Sequence, residues 1–275
     1  MIGMNLEKLE KMLEEGIIRA NTVLDEEVMG FLKEYDGIFS EVLKENARIA
    51  EERGLPLCQD TGMVEFFVLI NGRFNFDFDI YSMLEDVVRK VYLENPFRYS
   101  IVDDPLFDRR NTMSNTPPIV HILPTEGRNE IRFLIKGGGS ENLSALFMMN
   151  PTSSEDDVID RVVDHIARYG ARSCPPLHVG IGIGGTSEKA MVLSKLALTK
   201  GFKERNPDGR YAELEMKLLE RLNGLGIGYQ GLGSGITVYS VHVEHFPTHI
   251  ATLPLAISVD CYLCRRGRIV LDSIE

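Results

Sequence analysis

The sequence predicts a chain of mixed α and β class, on three observations. Apolar residues recur at helical spacing in several long runs, shorter runs are continuously apolar or alternate, and glycine, proline and asparagine punctuate the joins. Leu6, Leu9, Leu13 and Ile17 form the first helical stripe, with Glu and Lys between them. Val28, Phe31, Leu32, Tyr35, Phe39, Val42 and Leu43 continue the pattern and predict one longer helix to about Arg53, stopped by Gly54 and Pro56. Val64–Ile70 reads as a buried strand, and Asn71-Gly72 is a turn signal suited to a hairpin. A helix is expected over Ile80–Leu93, ended by Asn95-Pro96. Residues 97–118 are polar and aperiodic, which suits either a functional loop or a solvated one. Ile119–Leu123 and Ile131–Ile135 read as strands.

The second of these runs into Lys136-Gly137-Gly138-Gly139-Ser140-Glu141-Asn142. A strand entering a glycine turn before a short helix presents backbone N–H groups to an anion, although three glycines also suit a flexible loop. Ser154 and Asp157 form a capping box for a helix carrying Val158, Val162, Val163 and Ile166, ending near Gly170. His178–Ile183 alternates glycine with β-branched residues, and a helix follows from Thr186 to about Leu198. Gly180, Gly182 and Gly185 match the dinucleotide-binding glycine spacing, but the polar loop Gly201–Arg210 stands where the second strand and its ribose-binding acid belong. These glycines instead let backbone approach a ligand or a neighbouring element closely. Tyr211–Leu225 is a further helix and Ile236–Phe246 a strand. Ala256–Cys261 and Arg268–Leu271 close the chain as an expected hairpin.

A net charge of −11 with no Lys/Arg-rich block argues against nucleic acid. No apolar run approaches the roughly 18–20 residues that span a bilayer. Met1–Leu13 is amphipathic rather than a basic segment followed by an apolar one, so no secretory leader is read. Without a repeat or linker, residues 1–275 are taken as one domain, with room for two lobes. Four cysteines, Cys58, Cys174, Cys261 and Cys264, are too few for a disulfide scaffold and suit thiols or metal ligands in a reducing cytoplasm.

The chemistry concentrates in Leu57-Cys58-Gln59-Asp60-Thr61-Gly62, where a thiol, an amide and a carboxylate follow one another in a connecting loop. Cys58, Cys174 and Cys261 each lie in or beside a loop or strand end rich in Gly or Pro. Three scattered cysteines suit either one iron–sulfur cluster with an open iron or three unrelated buried thiols. His242, Glu244, His245 and His249 suggest zinc, but His242 and Glu244 lie on the strand face opposite His245, so they do not converge without a bend. Cys261-x-x-Cys264 has redox spacing but lacks the strand-to-helix context that lowers a thiol pKa.

Cys58–Gly62, Asn111-Thr112 with Asn115-Thr116-Pro117, Lys136–Asn142, Cys174-Pro175-Pro176 through Gly184-Gly185-Thr186, and His249 to Cys261 together resemble class I iron–sulfur fumarase. More narrowly, they resemble the alpha subunit of its two-subunit form, which L-tartrate dehydratase shares. The likeness runs along nearly the whole chain in the same order. It implies an α+β fold of mixed β-sheets flanked by helices, the N-terminal catalytic domain type. It also implies a [4Fe-4S] cluster on Cys58, Cys174 and Cys261, with Cys264 outside the ligand set. Substrate contacts fall on Gln59, Asp60, Arg98 and the backbone around Gly138, and the active-site histidine on His249.

The implied reaction is reversible hydration of fumarate to L-malate, a step of the tricarboxylic acid cycle. Asp60 would exchange the hydroxyl proton, with His249 as its relay or orienter. The carbon-side base is expected on a separate beta subunit, in a heterotetramer built on an alpha homodimer. L-tartrate dehydratase and a non-catalytic cluster-binding subunit are the alternatives. Two departures stand out: Gly231-Leu232-Gly233-Ser234-Gly235 replaces the usual Gly-Leu-Gly-Gly, and Thr248 stands where many relatives carry Cys.

Overall fold

A computed structural model describes residues 5–72 and 74–274, so the first four residues of the amphipathic start lie outside the described residues. Helices α1 (Leu6–Thr22), α2 (Glu26–Glu34) and α3 (Ser40–Arg53) precede strand β1 (Met63–Ile70) and helix α4 (Ile80–Glu94). Strands β2 (Ile119–Pro124) and β3 (Glu130–Lys136), the short helix α5 (Gly138–Glu141) and strand β4 (Ala145–Met149) follow. Then come α6 (Glu155–Tyr169), β5 (Leu177–Gly184), α7 (Ser187–Ala197), α8 (Gly209–Asn223), β6 (Val238–Phe246), β7 (Leu253–Asp260) and β8 (Arg266–Val270). The class is α+β: two four-stranded mixed sheets, β2-β1-β3-β8 and β4-β7-β5-β6, each with one parallel pair, and helices packed against them.

The chain divides into two compact units, one of residues 1–24, 45–137 and 265–275, the other of 25–44 and 138–264. In the first unit α1 and α4 cover one face of the β2-β1-β3-β8 sheet. Leu9, Leu13 and Ile17 of α1 and Leu84, Val88 and Tyr92 of α4 are buried with Val64, Phe66 and Val68 of β1 and Phe133 of β3. Burying each such side chain is worth about 1.5–3 kcal/mol. Asn5 and Asp79 cap the two helices by accepting the N–H groups of Lys8 and Tyr81.

In the second unit the face of β5 carrying Leu177, Val179 and Ile181 packs in one core with α6 and α8 residues such as Val162, Ile166, Leu218 and Leu222. The capping box of α6 forms as expected, with Ser154 and Asp157 bonded reciprocally. The opposite face of β5 explains its glycines. A Cβ on Gly180 would lie 2.0 Å from the carbonyl oxygen of Ser194, and one on Gly182 would lie 2.0 Å from that of Ala190. Both oxygens belong to α7, so the alternation of glycine with β-branched residues lets one helix lie directly on the strand.

Three expectations fail. The long helix from Val28 to Arg53 is two helices. Tyr35 is extended at the end of α2, and Ser40 Oγ donates to its carbonyl at 2.6 Å. The Tyr35 ring is drawn down to stack on Tyr229 at 3.9 Å, while Ile38 and Val42 stay exposed. Asn71-Gly72 does not close a hairpin. β1 pairs in parallel with β2, and a parallel pair needs a crossover, which α4 supplies. The final two strands are no hairpin either: β7 pairs with β4 and β5, whereas β8 joins the other sheet beside β3. Strand β4, absent from the sequence reading, pairs with β7.

Candidate active-site loop and cysteine positions

The loop from Leu57 to Gly62 is anchored on both sides of Cys58 and Gln59 within the first unit. The Leu57 N–H donates to the Asn21 carbonyl at 2.8 Å, and Asn46 Nδ2 donates to the Leu57 carbonyl at 3.0 Å. The Asp60 carbonyl accepts from Arg265 at 2.9 Å, the Thr61 carbonyl from the Tyr92 hydroxyl at 2.5 Å, and the Gly62 carbonyl from Asn115 Nδ2 at 2.9 Å. The Thr61 hydroxyl donates to the Arg98 carbonyl and accepts its N–H, so Arg98 is tied to the loop through its backbone. Gly62 is required by geometry: its φ is +72°, and a Cβ there would lie 2.8 Å from the carbonyl of Lys136. Anchors at Leu57 and at Asp60–Gly62 restrict the short stretch between them and so limit where its side chains stand, as a reacting site requires.

Leu57 and Thr61 are buried, whereas Cys58, Gln59 and Asp60 reach accessible space. Gln59 and Arg98 are exposed, and Arg98 donates to Gln59 Oε1 at 2.6 Å, using one of its five N–H donors. Asp60 is half-buried, and its Oδ1 accepts the Gly62 N–H at 3.0 Å, which orients the carboxylate. The Asp60 N–H lies 3.4 Å from Cys58 Sγ and donates to it. The first unit therefore gathers Cys58, Gln59, Asp60 and Arg98.

Gly138, Cys174, His249 and Cys261 belong to the second unit. Cys174 and Cys261 are brought near each other there, because the Tyr262 N–H donates to the Cys174 carbonyl at 3.1 Å. Cys174 is exposed and left-handed, with φ 48°, a conformation costing a non-glycine residue roughly 1–2 kcal/mol. Such strain persists where surrounding bonds over-determine it, and the neighbouring Pro175 carbonyl is also held, by the Gln230 N–H at 2.8 Å. Cys264 differs from the other three thiols: it is buried, and its Sγ donates to the Cys261 carbonyl at 3.2 Å. His249 is exposed on the loop joining β6 and β7, and its Nδ1 accepts the Ala251 N–H at 3.1 Å. Thr248 anchors that loop by donating to the Gly185 carbonyl at 2.8 Å. The three strand residues weighed for zinc are engaged elsewhere. His242 bonds His178 at 2.7 Å, Glu244 pairs with Lys200 at 2.5 Å, and His245 stacks on Tyr211.

Among the described residues no three His, Cys, Asp or Glu side chains are grouped to hold a metal ion. In donor type Cys58, Cys174 and Cys261 fit an iron–sulfur cluster. They are soft thiol donors, at least partly accessible, and none is in a disulfide.

Sequence reasoning passed over Tyr92 and Arg265. Tyr92 sits in the apolar stripe of α4 and reads as core; no spacing signals its bond to Thr61. Burial pushes its phenol up to about 12, against the opposing pull of the Arg265 charge. In the unfolded chain the phenol ionises near pH 10, so the folded state loses stability as pH rises from about 10 to 12, by up to about 1.4 kcal/mol per pH unit. Tyr92→Phe is expected to cost about 1 kcal/mol at neutral pH and to remove this alkaline component. Urea midpoints from pH 8 to 12 read both effects, and an unchanged alkaline slope counts against the assignment.

The profile of the "Fumarate hydratase (Fumerase)" family matches residues 10–270. A Methanocaldococcus jannaschii protein, provisionally named L(+)-tartrate dehydratase subunit alpha, is 39% identical over 285 residues, covering 97% of this chain and 99% of that one. The L(+)-tartrate dehydratase subunit alpha of Escherichia coli strain K12 is 34% identical over 234 residues, covering 83% and 77%. That of Shigella boydii serotype 4 gives the same figures. With the profile spanning most of its length, the chain belongs to the fumarate hydratase family of hydro-lyases.

Proposed function

We propose that this chain is the alpha subunit of an iron–sulfur hydro-lyase that interconverts a four-carbon hydroxy-diacid and its dehydrated product, with fumarate and L-malate as the pair. The observation that carries the reading is the Cys58–Gly62 loop, which presents a thiol, a carboxylate and, through Gln59, the Arg98 guanidinium from one anchored backbone. L-tartrate is the second reading, favoured by the names of the relatives.

Held by Cys58, Cys174 and Cys261, a [4Fe-4S] cluster would supply a Lewis-acidic iron with no protein ligand. The chain's own residues would do the rest. Arg98 would grip a substrate carboxylate, with backbone N–H groups around Gly138 taking carboxylate charge. Gln59 would steady the Arg98 fork. Asp60 would give its proton to the departing hydroxyl in dehydration and take one from water in hydration, with His249 as relay. The proton on the neighbouring carbon needs a base on the opposite face, for which no residue of this chain is assigned. We place it on a separate beta subunit, and the relatives are themselves named as alpha subunits. A heterotetramer around an alpha homodimer and a reducing compartment such as the cytoplasm complete the proposal. Among the described residues no helix is long and apolar enough to cross a membrane.

Iron counting tests the ligand set without relying on turnover. Anaerobic reconstitution of the full chain should give about four irons per chain. Cys58→Ser, Cys174→Ser and Cys261→Ser should each lose them, and Cys264→Ser should keep them. Equal dependence on Cys264 would overturn the assignment.

A further inference from the structure

The loop bearing Asp60 has one unusual anchor. Arg265 follows Cys264 where the chain enters β8, and it is only 3% exposed. Its NH1 donates at 2.9 Å to two neutral oxygens, the Asn21 side chain at the end of α1 and the Asp60 carbonyl. The Ile135 N–H holds its own carbonyl at 2.9 Å, so β3 fixes the root of the side chain. Its Nε is buried without a hydrogen-bond partner. A buried donor left without a partner is costly, and a buried cation whose hydrogen bonds go to neutral oxygens is a poor device for stability alone. Retaining it there calls for a role beyond filling space.

The surroundings indicate the role. A Cβ built on Gly137 would lie 3.1 Å from Asp60 Oδ2 and 3.5 Å from an Arg265 terminal nitrogen. The carboxylate, the guanidinium and the bare glycine backbone therefore share one small space. Asp60 Oδ1 is oriented by Gly62, and its backbone by Arg265. We propose that Arg265 is a positioning residue for the reaction: it sets where the Asp60 carboxylate stands, and Asn21 in turn holds the guanidinium. The inference rests on the role given above to Asp60. It concerns distance and orientation, since misplacing a reacting group by about 1 Å can cost on the order of 100-fold in rate.

The test uses the reconstituted complex with its partner chain, and reads kcat, KM, iron per chain and melting temperature together. Arg265→Lys keeps the charge but replaces the planar guanidinium with a shorter, flexible ammonium that does not fix a donor where NH1 stands, between the Asn21 side chain and the Asp60 carbonyl. It should lower kcat by about 10- to 100-fold, with KM and iron content within about twofold of the parent. Asn21→Ala, which removes the orienter and leaves Arg265 in place, should lower kcat about fivefold, and Asn21→Asp should recover most of that loss. Placed in an Asp60→Asn background, Arg265→Lys should cost almost no further turnover, because its effect passes through Asp60.

A general structural role predicts the opposite, with losses in melting temperature and iron and additive effects on kcat. Unchanged kcat in both Arg265→Lys and Asn21→Ala, a rise in KM alone, or full additivity with Asp60→Asn would each overturn the proposal. If Arg265→Lys does not fold, the Asn21→Ala and Asn21→Asp pair decides. Wild-type turnover in Asp60→Asn alone would remove the functional reading on which the inference stands. An inactive Asp60→Asn beside normal Arg265→Lys and Asn21→Ala would remove only the inference.

Discussion

Asp60→Asn is expected to abolish most turnover while leaving iron content and substrate affinity close to those of the parent. Asparagine is nearly isosteric, and its side-chain oxygen can still accept the Gly62 N–H that orients Asp60. The Arg265 bond is to the backbone carbonyl and survives the change. What disappears is the ability to give and take a proton, a contribution typically worth 100- to 10,000-fold in rate. Steady-state kinetics of the reconstituted complex should show the loss in kcat with little change in KM. Full activity in this variant would take Asp60 out of the mechanism.

The largest structural effect is expected at the glycines of β5. A methyl group at Gly180 or Gly182 meets a backbone carbonyl of α7 at 2.0 Å, and no side-chain rotation relieves that overlap. The helix would have to lift from the strand along its length, losing the contacts of Ala190, Leu193 and Ala197, all buried. Each of Gly180→Ala and Gly182→Ala is expected to cost about 3 kcal/mol or more, a fall in melting temperature on the order of 10 °C. Gly30→Ala is the control, because its Cβ would meet nothing within 4 Å. Melting curves decide: equal stability of the three variants would contradict the packing described for α7.

The same glycines show what the sequence could and could not disclose. Their alternation with Val179 and Ile181 marked a strand with one bare face, and the missing second strand ruled out a dinucleotide. Only the fold reveals that the bare face carries a helix. Elsewhere periodicity misled. Tyr35, Phe39, Val42 and Leu43 keep helical spacing through Asp36-Gly37, yet Tyr35 turns away to stack on Tyr229. Ala145–Met149 has neither alternation nor β-branched residues, so β4 gives no local signal and is recruited by pairing with β7. The closing strands are near in sequence but separate into two sheets, a long-range choice that local pattern does not encode.

In the candidate site, Cys58, Asp60 and Arg98 were legible as residue types and by resemblance. Their support was not. Arg265 stands beside Arg266 and reads as solvated charge until its burial is seen. Asn21 and Tyr92 read as ordinary members of α1 and α4, because a bond to a distant backbone carbonyl leaves no mark on spacing.

The central claim is that this chain supplies one side of a hydro-lyase site and that a second chain completes it. The direct measurement is anaerobic turnover of fumarate, L-malate and L-tartrate by the iron-loaded chain, alone and titrated with its candidate beta subunit. The account predicts negligible rates alone, and activity that rises and saturates at one partner per chain, on one or more of these substrates. Robust turnover by the isolated chain, or none on any of the three with the partner at saturation, would contradict it.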